Sequence, residues 1–230
     1  MLKTINTIFK GKDPVLLLLV GLIFIIALLS LYSASHCPGT NLVKNFFLHQ
    51  MVWFAAAVLV SILFIIFGYD RWLDYSYAIF GLNLLLLFLV LFIGSPYLGA
   101  KRWISLGLFS LQPSEFCKVS FILALTKFVS DNSNNIKSFK MVLLSLLFCA
   151  VPVFLIIKQP DLGTALVFLP IFFVILFAAG AKIKHLLFIL LAGALSSPFL
   201  WNMLKLYQKK RLLVFLNPNI DPLGAGYTII

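Results

Sequence analysis

The chain is short of charge. Only 11% of its 230 residues are Asp, Glu, Lys or Arg, and just seven are acidic. A water-soluble domain needs a polar surface, and a composition that is 62% hydrophobic with a mean hydropathy of +1.08 excludes one. The longest polar stretches, the loop around 94–112 and the tail after 204, leave no room for a hidden soluble domain. Cysteine is scarce as well. Cys37 stands alone in a polar loop and Cys117 and Cys149 fall inside apolar runs, so no disulfide framework is readable and packing is their default role. His36, His49 and His185 are scattered without metal-ligand spacing. A glycine-rich nucleotide loop and a nucleophile elbow are both missing, so neither an energy-coupled pump nor a serine hydrolase finds support.

What the chain does have is apolar runs long enough to cross about 30 Å of hydrocarbon as helix. Seven are expected, at roughly 15–33, 50–67, 75–93, 113–129, 141–157, 163–179 and 186–204. They are apolar all round and lack the alternation of barrel strands, so their backbone groups must be satisfied within each helix. The fold class is therefore all-α, a polytopic membrane bundle, and residues 1–230 form one membrane domain. The first run follows Lys3, Lys10 and Lys12; its core is too long for a signal peptide and no small-residue cleavage site follows, so it reads as a retained anchor.

Three N-terminal lysines favour a cytoplasmic start, which puts 34–49, 94–112, 158–162 and 205–230 on the outer face. The eighteen Lys and Arg then divide evenly between the two faces, where the positive-inside rule expects an excess inside. An anionic ligand at the outer face, such as a lipid phosphate, would account for the tie; snorkelling of these side chains to outer headgroups would also do so.

The few acids cluster beside prolines. Gln112-Pro113-Ser114-Glu115 and Gln159-Pro160-Asp161-Leu162-Gly163-Thr164 each open an apolar run. Pro suits the first helical turn, where its missing N–H was an orphan anyway, so Pro113 and Pro160 are expected at N1 with Gln112 and Gln159 as caps. Both helix N-termini would then face the outer compartment, where an anion or the ionised Glu115 and Asp161 are favoured. Glu115 and Lys118 stand three apart, on one helical face, and can pair; such a pair locking two helices is the plain alternative to a functional role. Asp161 has only Lys158 nearby in sequence, so a long-range or functional partner is expected for it. Upstream, Lys101-Arg102-Trp103 combines phosphate-binding cations with an aromatic suited to headgroup depth, although such stretches also serve as simple interfacial anchors. After the seventh run, the stretch 207–218 can form a basic amphipathic surface helix, followed by a turn-rich Pro and Gly cluster.

Taken in order, these motifs (Lys101-Arg102-Trp103; Gln112-Pro113-Ser114-Glu115 with Lys118; Gln159-Pro160-Asp161-Leu162-Gly163-Thr164; Arg211 with Asn217-Pro218; and Asp221-Pro222-Leu223-Gly224-Ala225-Gly226-Tyr227) closely resemble the shape, elongation, division and sporulation proteins, with the shape-determining branch nearest. The resemblance runs from about Lys101 to the end of the chain. It implies a ten-helix glycosyltransferase of the bacterial inner membrane that polymerises lipid II into glycan strands for cell-wall elongation, beside a class B penicillin-binding protein and with no nucleic-acid partner. In that family the essential aspartate lies in the outer loop beyond the Gly-Ala-Gly-Tyr motif. No residue here matches it, so this chain is expected to be a truncated portion and inactive alone.

Transfer of a sugar C1 from a polyprenyl pyrophosphate to the C4 hydroxyl of an acceptor needs a base on the acceptor and cations on the departing pyrophosphate. Lys101, Arg102, Lys118 and Arg211 are the candidate cations, and Trp103, Gln112, Glu115, Asp161 and Thr164 complete the substrate-binding set. A divalent cation suits a pyrophosphate reaction, but no ligand set is readable. Two competing readings are a lipid II flippase, which would spread polar groups through the membrane depth, and a non-catalytic scaffold that docks a partner's helix.

Overall fold

The computed structural model describes residues 14–35, 43–97, 100–105, 107, 110–203 and 206–217. The elements are α1 (Pro14–Ser35), α2 (Val43–Phe67), α3 (Tyr69–Asp74), α4 (Ser76–Ile93), β1 (Ser95–Tyr97), β2 (Ala100–Ser105), β3 (Ser110–Leu111), α5 (Pro113–Asp131), α6 (Phe139–Lys158), α7 (Leu162–Ala178), α8 (Ile183–Met203) and α9 (Leu206–Leu216). All seven long helices fall on the seven apolar runs. Among the described residues, four (15–33, 47–67, α4 and α6) are long and apolar enough to cross a membrane, and α7 and α8 contribute shorter apolar segments.

The chain divides into two compact units, Met1–Trp72 and Leu73–Ile230. In the first, α1 and α2 pair through stacked Phe24 and Phe54 rings, 3.6 Å apart, and Trp72 folds back on Phe64 at 4.0 Å while its indole N–H donates to the Phe64 carbonyl.

The second unit is built round α5. Its buried positions Cys117, Phe121, Ala124 and Leu125 recur at helical spacing and meet Phe80 and Leu87 of α4, Cys149 and Ile156 of α6, and Phe168 and Phe172 of α7. The Phe121 ring lies 5.2 Å from Phe168 and 6.0 Å from Phe80. In lipid the hydrophobic effect does not press helices together, so this close packing and a few interhelical hydrogen bonds hold the unit. Cys117 and Cys149 fill core positions, the packing role expected of them. At the far end of α5, Lys127 lies 3.4 Å from Asp131 and 3.9 Å from Asp74.

The expected loop at 94–112 contains a small antiparallel sheet of order β1-β2-β3. Its alternation is too short to read against the apolar runs on either side. Where β2 passes the end of α4 there is room only for glycine. A Cβ on Gly94 would collide with the Val90 carbonyl oxygen and stand 3.1 Å from the Lys101 Cβ. The basic helix expected within 207–218 is present as α9, which ends at Leu216, while 218–230, with the Asp221-to-Tyr227 motif, lies outside the described residues, as does Cys37.

Candidate functional site

The antiparallel order of α4 to α7 brings three things to one end of the second unit: the β1–β3 sheet, the N-terminus of α5, and the turn between α6 and α7. Gln112 caps α5 in extended conformation with Pro113 at N1, as the sequence predicts. The second Pro-led segment differs. α6 runs to Lys158 with Gln159 as its C-cap, and the N-cap of α7 is Asp161, not Gln159. Asp161 Oδ1 accepts from the Thr164 N–H at 3.3 Å, the reach of a capping carboxylate to N3, and Pro160 precedes the cap instead of following it. The carboxylate therefore occupies the helix end that an external anion would otherwise compete for.

Gln159 is buried and donates its amide to the Leu87 carbonyl of α4 at 2.9 Å, tying the turn to the neighbouring helix. The sequence motif singled it out, but its partner is 72 positions away and carries no side-chain signal.

Arg102 is the centre of the arrangement. β1 pairs with β2 as Ser95 to Trp103 and Pro96 to Lys101, a register slip that leaves Arg102 without an opposite residue. Such a bulge re-aims a side chain. The Arg102 Nε donates to the Gln159 carbonyl at 3.2 Å, a terminal nitrogen donates to the Pro160 carbonyl, and the other stands 3.8 Å from Asp161 Oδ1. Gln112 adds a fourth strut, its Nε2 donating to Asp161 Oδ2 at 3.3 Å. The long-range partner expected for Asp161 is thus Arg102, and Lys158 lies instead over the Phe154 ring at 5.3 Å.

Lys101 and Trp103 flank Arg102 and are exposed. Among the described residues the Lys101 ammonium donates to the Phe92 carbonyl, at 3.4 Å. Glu115 and Lys118 form the expected pair at 2.8 Å, but it lies within α5 and does not lock two helices. The Glu115 side chain is 53% exposed, because N3 of α5 points away from the core stripe. The Ser114 hydroxyl beside it is buried with no partner among the described residues. Arg211 sits on α9, and its side chain is outside the described residues. For a divalent ion, no three potential ligands among His, Cys, Asp and Glu come together in the described residues. The two nearby carboxylates are engaged by Lys118 and by Arg102 with Gln112. The described residues do not assemble a metal centre.

Fold and site define a polytopic helical membrane protein that holds a hydrogen-bonded charge network at one end of its second unit. The family of FtsW, RodA and SpoVE, described as cell cycle proteins, matches residues 14–230, and the chain belongs to it. It is 37% identical over 96% of its length to the stage V sporulation protein E of Bacillus subtilis, covering 62% of that protein. It is 30% identical over 95% of its length to the peptidoglycan glycosyltransferase RodA of Treponema pallidum, covering 67% of that one. Among solved structures, it superposes with a TM-score of 0.78 and 34% identity, over 96% of its length and 64% of the other chain, on a protein from work described as "Structural coordination of polymerization and crosslinking by a peptidoglycan synthase complex". With the rod shape determining protein RodA of Thermus thermophilus the TM-score is 0.65 at 32% identity, covering 81% of this chain and 60% of that one. The chain thus spans about three-fifths of the length of several relatives it matches.

Proposed function

We propose that this chain is part of a multi-pass peptidoglycan glycosyltransferase of the bacterial plasma membrane, polymerising lipid II into glycan strands with a class B penicillin-binding protein as its cross-linking partner. The observation that carries the reading is the family match across 14–230, in company with relatives named as peptidoglycan glycosyltransferases. In this reading the N-terminus is cytoplasmic, and the sheet, the α5 N-terminus and the α6–α7 turn face outward, where lipid II is polymerised. Lys101, Lys118 and Arg211 supply positive charge to the pyrophosphate leaving group, Trp103 anchors at headgroup depth, and Glu115 orients Lys118. Arg102, Gln112, Asp161 and Thr164 complete the substrate-binding region. The base that takes the acceptor's C4 proton is assigned to no residue of this chain.

A role in elongation and cell shape rests on the sequence resemblance, since the relatives bear names from sporulation, division and shape alike. The partner assignment draws support from the synthase-complex relative. Lipid transport finds less support, because the charged side chains described in α4 to α7 lie at helix ends and not at mid-depth.

The test is polymerisation of labelled lipid II by the purified complete protein with its cross-linking partner. Long glycan strands are the expected product. Lipid II translocated across a vesicle but never polymerised would reject the reading. Restored rod shape in a strain depleted of its elongation polymerase supports the elongation role, and rescue confined to division would overturn that part.

A further inference from the structure

We infer that Arg102 is a positioning residue that clamps the β1–β3 sheet onto the α6–α7 turn, and that Lys101 is the phosphate-facing cation of the pair. The first half rests on geometry alone; the second rests on the glycosyltransferase reading above.

Each of the three guanidinium nitrogens of Arg102 is turned inward, one to the Gln159 carbonyl, one to the Pro160 carbonyl and one toward Asp161. Two of its five N–H groups donate to carbonyls, and the terminal nitrogens that carry the other three face the turn and Asp161, so a bidentate phosphate contact would compete with the clamp. The Asp161 carboxylate is likewise engaged through both oxygens: Oδ1 takes the Thr164 N–H and faces Arg102, and Oδ2 takes Gln112. Asp161 thus joins β2, the cap of α5 and the start of α7. The charge pair is also largely covered, with side chains 20% and 11% exposed, so an approaching pyrophosphate would have to displace it.

The bulge in β2 supplies the device. With regular pairing Arg102 would take part in the ladder; with the slip it leaves the ladder and reaches the turn, while Lys101 and Trp103 stay exposed. The clamp fixes where those two side chains stand. Because the turn is itself held to α4 through Gln159 and Leu87, the sheet is referenced to the helical core and not to its own short strands.

The experiment uses the complete protein carrying a reporter cysteine at Ser105, which is exposed on β2, in a background without native cysteines. The rate of labelling by an impermeant maleimide reads the sheet's placement without activity, and polymerisation of lipid II is measured in parallel. Arg102→Gln and Asp161→Asn should each change the labelling rate several-fold, and the double variant should change it no further, since both break one clamp. Both should lower kcat with little change in KM, and Arg102→Lys should recover only part of the effect, because donors on a single ammonium nitrogen lack the spread of the planar fork over two carbonyls and a carboxylate. Lys101→Gln should do the reverse, raising KM with labelling unchanged. Unchanged labelling in Arg102→Gln with a raised KM would make Arg102 a direct phosphate ligand and overturn the proposal. A labelling change in a protein whose parent makes no glycan would leave the clamp standing and reject the enzyme reading. If Arg102→Gln fails to fold, Gln112→Leu, which removes only the strut to Asp161, must still shift the labelling rate for the clamp to hold.

Discussion

Lys101 and Arg102 are neighbours in the chain and are put to opposite uses: one ammonium stays exposed beside the last turn of α4, the other cation is drawn into the α6–α7 turn. Stability and substrate affinity should separate accordingly. Lys101→Gln should leave the thermal midpoint in detergent within the range of a surface change, about 0.5 kcal/mol, and raise KM for lipid II. Equal loss of midpoint and affinity would show that the Phe92 contact is structural.

Glu115→Gln should cost less than about 1 kcal/mol of stability, since a half-exposed pair on one helix gains little Coulomb energy. A double-mutant cycle with Lys118→Gln should give a coupling of the same small size. A coupling of several kcal/mol would mean that the pair is buried in the assembled protein.

Gln159→Met keeps the side chain's bulk and removes the donor to Leu87. The interhelical bond lost is worth roughly 0.6 to 1.7 kcal/mol in a membrane protein, and unfolding of the solubilised protein in graded detergent denaturant reads it directly. An unchanged transition would mean that the turn is held by Arg102 alone.

The helices are legible because their signal is long and redundant: each of the seven runs spans 17 to 19 residues, most of them apolar. The Glu115–Lys118 pair was legible for the same kind of reason, as its spacing is local. The sheet was not, since β1 and β3 have only three and two residues, too few for alternation to declare itself. Nor was the Arg102 network, whose partners lie 57 to 59 positions away and are mostly backbone carbonyls that any residue carries. The cap of α7 was misplaced because proline at N1 is the commoner pattern, and here the aspartate after it takes the capping role.

Gly94→Ala should destabilise the second unit and move the sheet, because the added methyl meets the Val90 carbonyl of the same chain and cannot be relieved by a side-chain rotation. The reporter at position 105 should register the shift through a changed labelling rate. A variant with native labelling and midpoint would show that the end of α4 can unwind at no cost.

Topology is open to the same reagent. With the N-terminus cytoplasmic, a cysteine at Ser105 should react with impermeant maleimide added outside intact spheroplasts. Reaction only after the membrane is opened would invert the arrangement and send the site to the cytoplasm.

The helix that Asp161 caps is short for a membrane span. At 17 residues, Leu162–Ala178 is only about 25 Å long, several ångströms less than ordinary hydrocarbon thickness. A bilayer accommodates so short a helix by thinning locally or by drawing flanking residues to the interface, and either response brings headgroups and water nearer to the helix ends. In the glycosyltransferase reading proposed above, thinning at the Asp161 end would let a lipid pyrophosphate meet the cations without leaving its own leaflet. That reading makes turnover sensitive to bilayer thickness, with thicker acyl chains expected to slow it.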